Sequence, residues 1–90
     1  SMNKYPADPG CAVRSLAGRD AGKMFVVIRE IDADFVLISD GDTRPLDRPK
    51  KKRRKHLKAT GASFPEVAAA ASGGQELTDA QVRKLLKEEG

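Results

Sequence analysis

Tryptophan is absent from the 90-residue chain, and tyrosine, cysteine and histidine occur once each. A lone Cys11 cannot close an internal disulfide, and with His56 the sole histidine there is no cysteine–histidine cluster of the kind that holds zinc. That usage fits a reducing compartment, so the cytoplasm is the expected location. No apolar run approaches the roughly 18 residues that span a bilayer, and the start lacks the charged-then-apolar pattern of a secretory signal. No membrane partner is expected. Ser1 ahead of Met2 reads as a residue left by tag cleavage.

Aromatic material is thin: Tyr5, Phe25, Phe35 and Phe64 are all of it. A peptide reader with an aromatic cage for a methylated cation is excluded on that ground. Base stacking has little to work with, because Phe25 and Phe35 fall inside strand patterns and are expected in the core. Asp32, Asp34, Asp40 and Asp42 sit in Asp-x-Asp and Asp-Gly settings that are ordinary turn chemistry without EF-hand spacing. Neither a metal nor another cofactor is expected. Cys11 has no base partner in the sequence, and His56, the sole histidine, stands between Lys55 and Leu57 with no acid beside it. The chain is therefore expected not to be an enzyme.

What the chain does have is cationic charge in one place. Residues 44–58 hold nine of the 17 Lys and Arg against one acid, Asp47, a local charge of +8; the rest carries 8 bases and 12 acids. Field strength and counterion release depend on such clustering more than on net charge, so a polyanion, RNA or DNA, is the expected partner. Within the run from Arg48 to Lys58, residues Lys50, Lys51, Lys52, Arg53, Arg54 and Lys55 are the candidate phosphate contacts. Two other readings of the same run are a solvated disordered loop and a nuclear-localisation tract.

Ninety residues make one small domain that buries only about 60% of its unfolded surface. Residues 1–9, with Pro6 and Pro9, form an irregular lead-in. Short β-branched and aromatic runs bounded by Gly and Asp then predict strands at 11–17, 23–31, 34–39 and 43–46, with a fifth around His56, Leu57 and Lys58. Connections this short force antiparallel neighbours. The stretch Met24–Ile28 is apolar at every position, which demands cover on both sides or a strong bend and points to a small closed barrel over 10–59. Residues 60–77, rich in Ala and Gly, read as a flexible linker, with a brief helix at 66–71. A helix follows in 78–90, with Thr78 as N-cap and Gln81 completing a capping box. Its stripe of Val82, Leu85 and Leu86 is too narrow to be stable alone, so it docks or frays.

The segment Gly10–Ile28, with Gly18-Arg-Asp-Ala-Gly22-Lys23 at its turn, resembles the KOW motif. Together with Asp40-Gly41, Arg44-x-Leu46 and the Arg48-Pro-(basic)-His56-Leu57 element, residues 10–58 are similar to the KOW-containing large-subunit ribosomal proteins of archaea and eukaryotes and their small bacterial relatives. The resemblance implies an SH3-like barrel of about five strands that binds RNA, usually ribosomal RNA. It makes Gly22 the motif glycine, with Gly18 at the other end of the turn, and puts Arg14, Arg19 and Lys23 at positions that often face RNA. Lys58 closes the basic element. Cys11 and Ala12 stand where the family has bulkier aliphatic residues, and 60–90 has no counterpart. The alternative is a KOW-type protein-interaction module for a transcription or ribosomal protein, using the barrel or the Val82, Leu85, Leu86 stripe.

Overall fold

The computed structural model describes residues 8–89; most of the lead-in expected over 1–9 lies outside the described residues. Five strands, β1 (Cys11–Ser15), β2 (Met24–Glu30), β3 (Phe35–Ser39), β4 (Lys50–Arg53) and β5 (Leu57–Ser63), are followed by helices α1 (Pro65–Ala71) and α2 (Asp79–Glu89). They form one open antiparallel sheet in the order β4-β3-β2-β1-β5.

A 3₁₀ turn of three residues, Arg54–His56, is all that joins the two edge strands of this sheet. Laid flat, those edges would stand about 19 Å apart, four strand spacings. Four Cα steps reach at most about 15 Å, and less when coiled. The sheet is therefore strongly rolled, which brings β4 and β5 to either side of the turn. The Leu16 amide donates to the His56 carbonyl at 2.8 Å, which sets the turn against the end of β1.

The rolled sheet has two apolar faces. Val13, Phe25, Val27, Val36, Ile38 and Leu57 form the inner cluster. Ala12 and Val26 point outward and are covered by Phe64, Val67, Val82 and Leu86. The all-apolar β2 is thus covered on both sides and bent as well, since its pairing with β3 slips between Val27 and Arg29.

The closed barrel expected over 10–59 is instead an open sheet, with no pairing of β4 to β5, and three further expectations need correction. The strand expected at 43–46 is a turn. Asp40 accepts from the amides of Asp42 (2.9 Å) and Arg44 (2.8 Å) and from the Thr43 hydroxyl (2.7 Å), Pro45 has no N–H, and the Leu46 amide donates to the Asp79 carboxylate at 2.8 Å. Few amides remain for a ladder. Burial pushes the Asp40 pKa up, but these hydrogen bonds outweigh it and hold the group below the usual carboxylate value.

The flexible linker at 60–77 is the second. Residues up to Ser63 continue β5, and the brief helix expected at 66–71 forms as α1, starting at Pro65, a residue preorganised for a helical first turn. Phe64 and Val67 are buried against Ala12. The small side chain at Ala12 leaves them room, and alanines elsewhere in α1 let the helix lie close to the sheet.

The third concerns the helical stripe. α2 docks, so Val82 and Leu86 sit in the chain's own core and are not a free surface for a protein partner. The capping box forms as expected: the Thr78 amide donates to Gln81 Oε1 at 2.8 Å, and the Gln81 amide donates to Thr78 Oγ1 at 3.2 Å. No helix among the described residues is long and apolar enough to cross a membrane.

Candidate nucleic-acid interface

Uniform positive charge gives the 50–53 run no hydrophobic pattern, yet as a strand it acquires a period of two. Its register against β3 pairs Ile38 with Lys50, Leu37 with Lys51, Val36 with Lys52 and Phe35 with Arg53. Val36 and Ile38 face the interior, so Lys50 and Lys52 project to that side while Lys51 and Arg53 project outward. Lys50 is half-buried and Lys52 is buried; its ammonium donates to the Ala17 carbonyl at 2.8 Å. An inward-pointing charge on an edge strand is a known guard against edge-to-edge pairing.

Arg54 also leaves the candidate interface. It is 3% exposed; its guanidinium donates to the Asp32 carbonyl and, at 3.1 Å, to Glu30, clamping the β2–β3 hairpin. Lys52 and Arg54 were expected to touch phosphate, and their side chains are instead committed inside the fold. Lys52→Ala is expected to lower stability by about 1–3 kcal/mol through the orphaned carbonyl and lost stem packing, without changing nucleic-acid affinity. A urea melt alongside a binding titration checks both halves.

The remaining candidates, Arg14, Arg19, Lys23, Arg48, Lys51, Arg53, Lys55 and Lys58, are exposed. Lys51 and Arg53 on β4, Lys55 in the 3₁₀ turn, and Lys58 and Arg14 on β5 and β1 follow one another around the outside of the roll. Arg14 lies directly opposite Lys58 in the β1–β5 pairing. Like charges so placed destabilise a sheet. The two line, with Ala59 and Thr60, an open depression of about 330 Å³. The ion pairs among the described residues are Asp20–Arg44 and Glu30–Arg54, so none of these exposed cations is in direct contact with a carboxylate.

No family model matches the chain, and no curated protein is significantly similar to it.

The β1–β2 loop is held rigidly. Gly18 and Gly22 adopt positive φ, 79° and 86°, conformations costly for residues with a Cβ. Buried Asp20 pairs with Arg44 at 3.3 Å, and an Arg14 guanidinium nitrogen donates to the Gly22 carbonyl at 2.7 Å. The amides of Ala21, Gly22 and Lys23 bond to carbonyls of Gly18, Ser15 and Asp20, so they are not open to a phosphate. What the loop offers is the cations of Arg19 and Lys23. Arg48 stands apart, in the turn before β4.

Sequence reasoning missed Phe35. Phe25 and Phe64 are buried as core residues, but Phe35 is half-buried on the outer face, with Lys51 Nζ 4.5 Å and Arg53 Cζ 4.8 Å from its ring centroid. The alternation in Phe35-Val-Leu-Ile38, once Val36 and Ile38 are assigned inward, was the available signal. Cys11 is half-buried, and burial together with the nearby Asp8 charge raises its thiol pKa. It stays protonated at neutral pH, a poor nucleophile.

Proposed function

We propose that this chain is an RNA-binding module that recognises structured RNA, ribosomal RNA first of all, through phosphate contacts, and works in a ribosome-associated or translation-related setting. The observation that carries the reading is the arc of unpaired cations from Lys51 to Arg14, above all the Arg14–Lys58 pair. Two opposed cations with no carboxylate weaken the bare protein, and the arrangement becomes favourable against a chain of phosphates. The rolled meander with a 3₁₀ turn before its last strand supports the KOW-type, SH3-like reading of residues 10–58.

Binding to a folded ribosomal RNA fragment, followed by fluorescence anisotropy over a salt series, tests it. With five or six phosphates neutralised, the log–log slope is expected at about −4 to −5. A slope between about 0 and −1 would rule the phosphate interface out.

A further inference from the structure

The outer face of the β2–β3–β4 end carries a regular array. The Ile31 amide donates to the Phe35 carbonyl at 3.1 Å, extending the ladder one step beyond the Glu30–Val36 pair. One row therefore runs Ile31, Phe35, Arg53, and the next runs Arg29, Leu37, Lys51. Three apolar side chains lie among three cations. α1 and α2 cover the outward residues Ala12 and Val26, whereas here Phe35 and Leu37 remain partly exposed and Ile31 is 42% exposed. Asp32, beside this array, is occupied in the hairpin. Its carboxylate accepts from the amides of Asp34 and Phe35, both at 2.8 Å.

We infer that this face is a nucleotide platform, on which Phe35 stacks an unpaired base of the bound RNA while Lys51 and Arg53 take the phosphates on either side of it. Charge selects the ligand: an apolar patch ringed by Arg29, Lys51 and Arg53 suits a flat apolar group carried on an anionic chain, which is what a bulged or looped-out nucleotide presents. The two cations over the ring fill the place of the base in the free protein. A base that displaces them releases both toward its own flanking phosphates, so stacking and charge pairing reinforce each other. The inference rests on the RNA-binding reading and deepens it from phosphate recognition to recognition of an unpaired position next to a helix.

The test compares one RNA hairpin, fully paired, with the same hairpin carrying a single bulged 2-aminopurine, against the parent protein, Phe35→Leu and Phe35→Trp. The parent should quench the bulged fluorophore and bind the bulged hairpin more tightly. Phe35→Leu, which keeps apolar bulk, should weaken that binding about ten- to a hundredfold with an unchanged salt slope, and Phe35→Trp should preserve or strengthen it. Affinity for the paired hairpin should move less than about twofold in either variant. Equal binding of both hairpins by the parent, or indifference of the bulged complex to Phe35→Leu, would overturn the platform while leaving the phosphate interface standing. Failure to bind either hairpin would refute both.

Discussion

Replacing Arg14, Lys51, Arg53, Lys55 and Lys58 together with glutamine is expected to lower affinity for a folded RNA by roughly a thousandfold at 0.2 M salt. Five phosphates at about 0.8 each give a slope near −4, which is nearly three decades of affinity between 0.2 M and 1 M salt, where the electrostatic contribution vanishes. At 0.05 M salt the same arithmetic gives about five decades, and the slope of the variant should fall to about −1 or less. The fold should survive. All five side chains are exposed and none is ion-paired, and relief of the Arg14–Lys58 repulsion offsets the absence of the two cation–π interactions at Phe35 and of the solvent-exposed Arg14 hydrogen bond to the Gly22 carbonyl. Stability should stay within about 1 kcal/mol of the parent.

Lys52→Gln is the control, because it removes the same charge per residue from a buried position. If net charge alone governed binding, it would cost as much as any one of the outward changes. An interface made by strand register leaves RNA affinity unchanged in Lys52→Gln and lowers stability instead. Anisotropy titrations with circular dichroism on both variants decide between the two. A folded five-site variant that still binds at parental affinity would remove the arc from the interface.

Gly41→Val is expected to detach α2 from the sheet. Gly41 is buried with φ +74°, and a Cβ there would fall on the Asp79 carbonyl oxygen and lie 3.1 Å from the Val82 Cβ. Backbone strain of about 1–3 kcal/mol adds to an overpacking cost of about 1–3 kcal/mol, against a stability of at most about 5–15 kcal/mol for a domain of this kind. The first turn of α2 cannot move away without loss, since Asp79 holds the Leu46 amide and an Arg83 guanidinium nitrogen donates to the Gly41 carbonyl at 2.7 Å. Eleven residues do not hold a helix in water by themselves. Hydrogen exchange should show the amides of Val82 to Glu89 losing protection, with a lower unfolding midpoint and new binding of a hydrophobic dye at the uncovered Ala12 and Val26. Parental protection in α2 would show that the helix does not depend on its close approach to Gly41.

Both changes act on features that the sequence states unequally. The first three strands, the tight Asp40-Gly41 turn and the α2 capping box could be read in the chain, because each rests on local chemistry: β-branched runs, a residue that tolerates positive φ, a hydroxyl three residues before an amide. The need for Met24–Ile28 to be covered twice was legible too, from the absence of any polar position along it. The basic run was visible as charge but not as structure. A row of Lys and Arg carries no hydrophobic period, so nothing local says which of them face inward.

Composition and local pattern alone determined that the chain is a small antiparallel β domain with one dense cationic segment and a capped terminal helix. Tertiary structure decided which cations are available. Pairing of β4 with β3 placed Lys52 beside Val36 and sent Lys51 and Arg53 outward over Phe35, and pairing of β5 with β1 set Lys58 against Arg14. It also turned the Ala-rich stretch from a linker into cover for the outer face, because Phe64 and Val67 become core only once Ala12 and Val26 lie beneath them. These outcomes depend on which residues stand opposite one another across strands, and burial, not propensity, sets that register.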